Sequence, residues 1–299
     1  MYRVASEYTI YTMSPFNSPV LKVENGASVV FETCDCFANQ IKTPDTKFET
    51  LDWERINPAT GPVYVDGAEP GDILVVRIDE IKVASQGTML TGPQLGTLGD
   101  QLRENTIRTI PIREGKAIYE NTLEIPLNPM IGVIGTAPAA DSVPCGTPGK
   151  HGGNMDCKII KEGTTLYLPV NVPGALLALG DLHAAMGDGE VSVCGLEVPG
   201  EVTLTVSVLK DQQLPLPLAR TDKAIYVIAS EKSLDEAVKT ATQLMAEFLV
   251  SKSSLDIYDA VNLLSLVGNL QICQVVDPLK TIRLELAQSY LDQLRITLG

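Results

Sequence analysis

The segment GEVTLTVSVLK places the strongest constraint on this chain. Val202, Leu204, Val206 and Val208 alternate with Thr203, Thr205 and Ser207, a period of two that fits a half-buried strand and no helix. The same character extends over residues 1 to about 220. Glycine, proline and asparagine punctuate short apolar runs there about every ten residues, which predicts a mainly β, sandwich- or barrel-like body. SPVLKVENGASVVFETCDC sets two β-rich runs around Asn25-Gly26 and reads as a hairpin. EPGDILVVRIDEIKVAS predicts a strand with Ile73, Val75 and Arg77 on one face and Leu74, Val76 and Ile78 on the other. Segments 85–100 and 126–155 read as long irregular connections, a length usually tied to function.

The pattern changes over 221–299, which reads as a small C-terminal α/β subdomain packed against the body. After a strand-like AIYVIAS, Ser233 and Glu236 form a capping box, supplying partners for exposed amides at a helix start. Leu234, Ala237, Val238, Ala241, Leu244, Met245, Phe248 and Leu249 then recur at three and four, an amphipathic helix. LDIYDAVNLLSLVG predicts a second helix ended by Gly268. The strands NLQICQVVD and KTIRLELA follow around Asp277-Pro278.

Charge narrows the partners. With 23 Lys and Arg against 37 Asp and Glu, the 299-residue chain carries a formal −14, which repels phosphate backbones and anionic lipid. The balance favours a neutral or cationic ligand or a bound metal cation. No run approaches the roughly 18 apolar residues of a membrane span, and no basic start followed by an apolar stretch marks a signal peptide. The six cysteines form no CxxC pair, so free thiols in a reducing cytoplasm are expected.

Both histidines lie in glycine-rich, acid-containing segments, HGGNMDCK and GALLALGDLHAAMGDGE. A strand running through Leu182 would put Asp181 and His183 on one face, where carboxylate and imidazole together suit a divalent metal. Asp188-Gly189 reads as a hairpin turn with Glu190 opening the strand after it. His151 and Asp156 are further candidates in the preceding segment. FETCDCFANQIK adds Glu32 and Asp35 as candidate ligands, and Cys34 and Cys36 as soft donors or small buried hydrophobes. No GxSxG elbow, P-loop or convincing GxGxxG is present. Cys157, with Glu124 and Lys158, offers a nitrilase-like Cys-Glu-Lys alternative, or a buried core thiol.

PLNPMIGVIGTAP (126–138), VPCGTPGKHGGNMD (143–156), TTLYLPVNVPGALLALGDLHAAMGDGE (164–190) and GPVYVDGAEPGDILVVRIDEI (61–81) together resemble the acetamidase/formamidase family. The resemblance covers the first two-thirds of the chain. It implies a cytoplasmic hydrolase of short aliphatic amides that releases ammonia, mainly β with a small α/β part. It also implies a homodimer or higher homo-oligomer with a divalent metal, zinc first and calcium as the alternative.

Residue chemistry then gives an expected division of labour. Asp35, Asp181 and His183 are expected to hold the metal, and Glu190 to act as general base. Asn154 and the backbone of Gly152 and Gly153 are expected to bind the substrate. Two other classes stay open: a covalent amidase using Cys157, and a non-catalytic metal- or small-molecule-binding protein.

Overall fold

The computed structural model describes residues 1–298. Its alternating strands assemble into two large sheets. The first has nine strands, in the order Tyr2–Val4, Ser28–Thr33, Gly200–Leu209, Ile73–Val83, Thr165–Pro169, Leu218–Arg220, Ala224–Glu231, Lys280–Ala287 and Asn269–Gln274. The second has eleven strands, with Leu177–His183 paired to Met130–Gly135, Glu197–Val198 and Ala59–Val65. The main core takes Phe31, Leu74 and Leu204 from the first sheet and Val63, Ile131 and Leu179 from the second. The sheets therefore pack face to face, as alternation with one buried face requires.

The first sheet is buried on its other face as well. Ile73, Ile225 and Val227 meet Ala241, Met245 and Leu249 of helix α1, Leu234–Lys252. Successive residues of Ile73–Val83 thus serve two cores, Ile73 under the helix and Leu74 between the sheets. Ser233 caps α1 by accepting from the Glu236 amide, and its hydroxyl donates to the Glu236 carboxylate. Helix α2, Ile257–Val267, starts at Asp256 and ends at Gly268. A short α3, Gln288–Leu294, closes the chain. None of these helices is long and apolar enough to cross a membrane.

Two expectations change, and a third gains detail. Segment 221–299 is joined to the body by strand pairing as well as packing, since Ala224–Glu231 and Lys280–Ala287 continue the nine-stranded sheet beyond Leu218–Arg220. Asn25-Gly26 closes no hairpin: Leu21–Val23 pairs with Ala59–Val65 in one sheet, and Ser28–Thr33 joins the other. Gly26 supplies the reversal at φ +90°, but the turn is tied to a third strand. Gly26 donates to the Val206 carbonyl, and Asn25 Oδ1 accepts from the Val208 amide. Finally, 85–100 and 126–155 are not irregular throughout, because they contain the strands Gln86–Thr91 and Met130–Gly135, the latter buried at all six positions. A strand covered on both faces is continuously apolar and shows no alternation to read.

Leu204 is wholly buried between the sheets. Leu204→Ala is expected to destabilise the protein by about 2–5 kcal/mol, read as a lowered urea midpoint at unchanged m-value.

Candidate functional site

The strand Leu177–His183 runs through the middle of the second sheet and ends in polar residues that are all buried. Asp181 and His183 lie on one face, with Asp181 Oδ1 3.4 Å from His183 Nε2. Three further carboxylates converge on the same nitrogen. Glu197 Oε1 lies 3.0 Å away, Asp156 Oδ1 3.8 Å and Glu190 Oε1 3.8 Å. Glu197 arrives by strand pairing, directly across from His183.

Glycines give this cluster its room. A Cβ on Gly132 would stand 2.4 Å from Asp156 Oδ1 and 2.7 Å from Asp181 Oδ2. One on Gly195 would stand 2.7 Å from the His183 ring. Asp156, Asp181 and Glu190 themselves take left-handed backbone, at φ +41°, +55° and +47°. Such strain persists only where surrounding structure imposes it, and it concentrates at functional sites.

The charge balance of the cluster is incomplete. Four carboxylates surround one imidazole, and among the described residues no lysine or arginine pairs with any of the four. Arg283 and Lys158 are taken by Asp188 instead. Burial pushes the Glu197 carboxyl up to about 8. Burial, then Asp181, lifts Asp156 to about 6. Glu190 is raised well above the usual range by burial and by Asp156. Burial opposes the charged form of His183, but Glu197 and Asp181 outweigh it and hold the imidazolium well above its ordinary range.

Both His183 nitrogens, both Asp156 oxygens, and one oxygen each of Asp181, Glu190 and Glu197 are buried without a hydrogen-bond partner. Orphaned acceptors of this kind are costly unless something else satisfies them. A divalent cation fits. Two donors, each about 2.1 Å from a shared tetrahedral ion, stand about 3.4 Å apart, and Asp181 and His183 have that separation. Asp156, His183 and Glu190 form one group of donor atoms within 4.8 Å of one another; Cys36, Asp181 and Glu197 form a second.

The remaining sequence candidates are distributed unevenly. Asp35 is buried, and its Oδ1 accepts from the Phe37 and Asn39 amides, while its neighbour Cys36 reaches Asp181 and Glu197. Glu32 lies apart and pairs with Arg3. His151 is buried, with Nε2 unpartnered and its pKa lowered by burial to about 4. Asn154 is buried with a free Oδ1, in the strand Gly152–Asn154. The Gly152 amide donates to the Gly149 carbonyl.

The Cys-Glu-Lys set does not assemble. Glu124 pairs with Lys116, Lys158 with Asp188, and Cys157 is wholly buried. Glu190 opens no strand; it sits 6% exposed on a loop, because Asp188-Gly189 is anchored elsewhere. Gly189 bridges to Gln274, and Arg283 grips Asp188 through two bonds of 2.7 and 3.0 Å. Sequence reasoning missed Glu197 and Asp277. The signal for Glu197 was available, as a lone acid between Leu196 and Val198 in a strand-like run.

Two cavities lie near the cluster, and Cys194 lines both. The smaller, about 380 Å³, includes Glu190, Met89 and Ile110. The larger, about 610 Å³, includes Cys36, Asp277 and Trp53.

Residues 14–144 and 139–232 match the model of the Acetamidase/Formamidase family. The chain belongs to that family. Among solved structures, an acetamidase from Bacillus halodurans is 49% identical, covers 98% of this chain and 100% of its own, and superposes with a TM-score of 0.97. A predicted acetamidase/formamidase from Thermoanaerobacter tengcongensis is 46% identical, with 99% of each chain covered and a TM-score of 0.98. A formamidase from Methylophilus methylotrophus is 26% identical over 74% of this chain and 71% of its own length. Across the curated relatives it matches, the chain spans 61%, 71% and 53% of their lengths. The mainly β architecture expected from the sequence is the one this chain adopts.

The cluster sets a pH dependence for the metal-free protein. Glu197, at about 8 against an ordinary 4.5, binds a proton in the native state that the unfolded chain has released. Its contribution is full at low pH and is lost as pH rises toward 8. His183 acts in the same sense above its ordinary 6.5. His151, lowered from 6.5 to about 4, acts in the opposite sense, but only below about pH 6.5. The melting temperature of metal-stripped protein is therefore expected to fall from pH 6.5 to 8, and a divalent cation to flatten that fall, as followed by calorimetry.

Proposed function

We propose that this chain is an amidohydrolase that cleaves short aliphatic primary amides, such as formamide and acetamide, to carboxylate and ammonia. The observation carrying the proposal is the buried convergence of Asp156, Asp181, Glu190 and Glu197 on His183, in a chain of the acetamidase/formamidase family. The reaction consumes water. A C–O bond forms at the carbonyl carbon, the C–N bond breaks, and the nitrogen leaves with a proton.

Asp156, Asp181 and His183 would hold the divalent cation, and Glu197 would orient the His183 ring from across the strand pair. One imidazole among carboxylates favours zinc, with calcium as the alternative for a harder oxygen set. When bound, such an ion supplies Lewis acidity at a carbonyl and acidifies water. Glu190 is the proposed general base. Its Oε2 is buried without a partner, and burial, then Asp156, raises its pKa well above the ordinary carboxylate range, the direction that favours a proton acceptor. It would accept the proton of the attacking water and deliver it to the departing nitrogen. Asn154 Oδ1, free and buried, would accept a hydrogen from the substrate's NH₂ group. A Cys157 nucleophile is the weaker reading, since that thiol is wholly buried and lines neither cavity.

A homodimer is the proposed assembly. Tyr258 and Leu266 of α2 are 78% and 81% exposed, and Leu270 and Ile272 are exposed on the strand Asn269–Gln274 at the open edge of the nine-stranded sheet. Exposed apolar side chains together with an unpaired strand edge are suited to a second copy. The six free cysteines are in keeping with a cytoplasmic setting.

Two experiments test these readings. Asp181→Asn and His183→Ala are each expected to lower bound metal and to reduce ammonia release at least a hundredfold, whereas Glu190→Gln keeps its metal and loses turnover. Full activity after chelation, or in Asp181→Asn, would overturn the scheme. Tyr258→Asp combined with Leu266→Asp is expected to shift the protein to a monomer in sedimentation velocity at an unchanged far-ultraviolet spectrum.

A further inference from the structure

The cavity of about 610 Å³ is far larger than formamide or acetamide needs; pockets of 300–1,000 Å³ enclose ligands of drug size. Its walls are mostly apolar, with Tyr11, Phe37, Trp53, Leu90, Leu95 and Val276 among them. At its inner end stand Cys36 and Asp277. Cys36 Sγ lies within 4.8 Å of carboxylate oxygens of Asp181 and Glu197, so the wall of the cavity adjoins the polar cluster, although none of the five cluster residues lines it. Asp277 touches the same cluster through Asp156, which together with burial drives its carboxyl well above the ordinary range. The smaller cavity reaches only Glu190 among these groups and contains no tryptophan.

The acidic side chains lining the larger cavity are Glu54 and Asp277, the second raised in pKa by burial, and among the described residues no lysine or arginine lines it. An acyl group bearing a carboxylate would meet Glu54 there and find no lysine or arginine among the lining side chains. An uncharged apolar group would instead bury surface against aromatic and aliphatic walls. Trp53 packs against Phe48 at a centroid distance of 4.9 Å with the rings tilted by 49°, and remains 40% exposed.

We propose that this cavity is an acyl-binding subsite that widens the substrates beyond formamide and acetamide to uncharged primary amides with a bulky apolar or aromatic acyl group, and favours these. The inference rests on the amide-hydrolysing reading above and adds its substrate class. The acyl group lies along Phe37, Trp53 and Leu95, and the carboxamide points past Cys36 into the cluster. Each apolar group enclosed strengthens binding, and a single methylene is worth about tenfold or more in a closed pocket.

Trp53 is the chain's only tryptophan, so its emission reports occupancy of this cavity independently of turnover. The test uses purified zinc-loaded protein with acetamide, butyramide, 2-phenylacetamide and the anionic amide glutaramate, measuring ammonia release and Trp53 emission in parallel. The expected result is a kcat/KM for 2-phenylacetamide at least tenfold above that for acetamide, carried mainly by KM. Glutaramate should be the poorest substrate, and emission should change saturably with 2-phenylacetamide. Trp53→Ala and Leu95→Phe should each reduce the phenylacetamide-to-acetamide ratio at least fivefold. Cleavage of acetamide without cleavage of 2-phenylacetamide or any emission change would overturn the subsite and leave the hydrolase standing. A ratio moved by Met89→Ala or Ile110→Ala but not by Trp53→Ala would assign the acyl group to the smaller cavity, and would equally overturn it. Saturable emission changes with no amide cleaved would support the apolar site and defeat the hydrolase reading.

Discussion

Four buried carboxylates around one histidine are the interaction on which this structure turns. Taking a single carboxylate out of water is expensive, and close like charges add to that penalty. The fold nevertheless brings Asp156, Asp181, Glu190 and Glu197 within 3.8 Å of His183 Nε2. Much of the local architecture serves that convergence. Gly132 and Gly195 leave space that any side chain would fill, and three of the acids accept left-handed backbone. A chain selected only for stability would have placed hydrophobes at these positions, as it did at Leu179 and Leu182 one turn of the pleat away.

The cluster also explains why the C-terminal strands share a sheet with the body. Glu190 sits on a loop, yet it must hold a fixed position beside His183. The loop is fastened by the buried Arg283 through a bidentate pair with Asp188, and Gly189 is held in backbone pairing with the end of Asn269–Gln274. A planar guanidinium gripping both carboxylate oxygens fixes direction as well as distance, which a lysine would not do. Because Arg283 lies in Lys280–Ala287, the geometry of a residue near position 190 depends on strands almost a hundred residues later. A loosely docked subdomain would transmit its own motion to Glu190; a continuous sheet does not.

The sequence was legible wherever one face of an element meets solvent. Gly200–Leu209 alternates because it is buried on one side, and α1 shows its stripe and its Ser233 cap for the same reason. Legibility failed where burial is complete. Met130–Gly135 has no polar face, so nothing in its pattern separates strand from apolar loop. It failed again where a local signal was right but its partners were distant: Asn25-Gly26 does reverse the chain, though between sheets. The site divides along similar lines. Asp181 and His183 were readable because they are two apart on one strand, whereas Glu197 joins them only through strand pairing. Asp35 and Cys36 are neighbours in sequence, and which of them faces the cluster is a matter of strand-end geometry that composition does not encode.

The distribution of charge also bears on how the proposed reaction would proceed. The substrate is neutral on entering and its acyl product is an anion. In the larger cavity that anion would stand near Glu54, in a protein of formal charge −14, with no lining cation to retain it. A neutral amide meets none of this repulsion, so the field discriminates between substrate and product while leaving apolar contacts to choose among amides. The same acids that make the centre costly to bury would thus favour release of the carboxylate, and tight product inhibition would be the less natural outcome of this geometry.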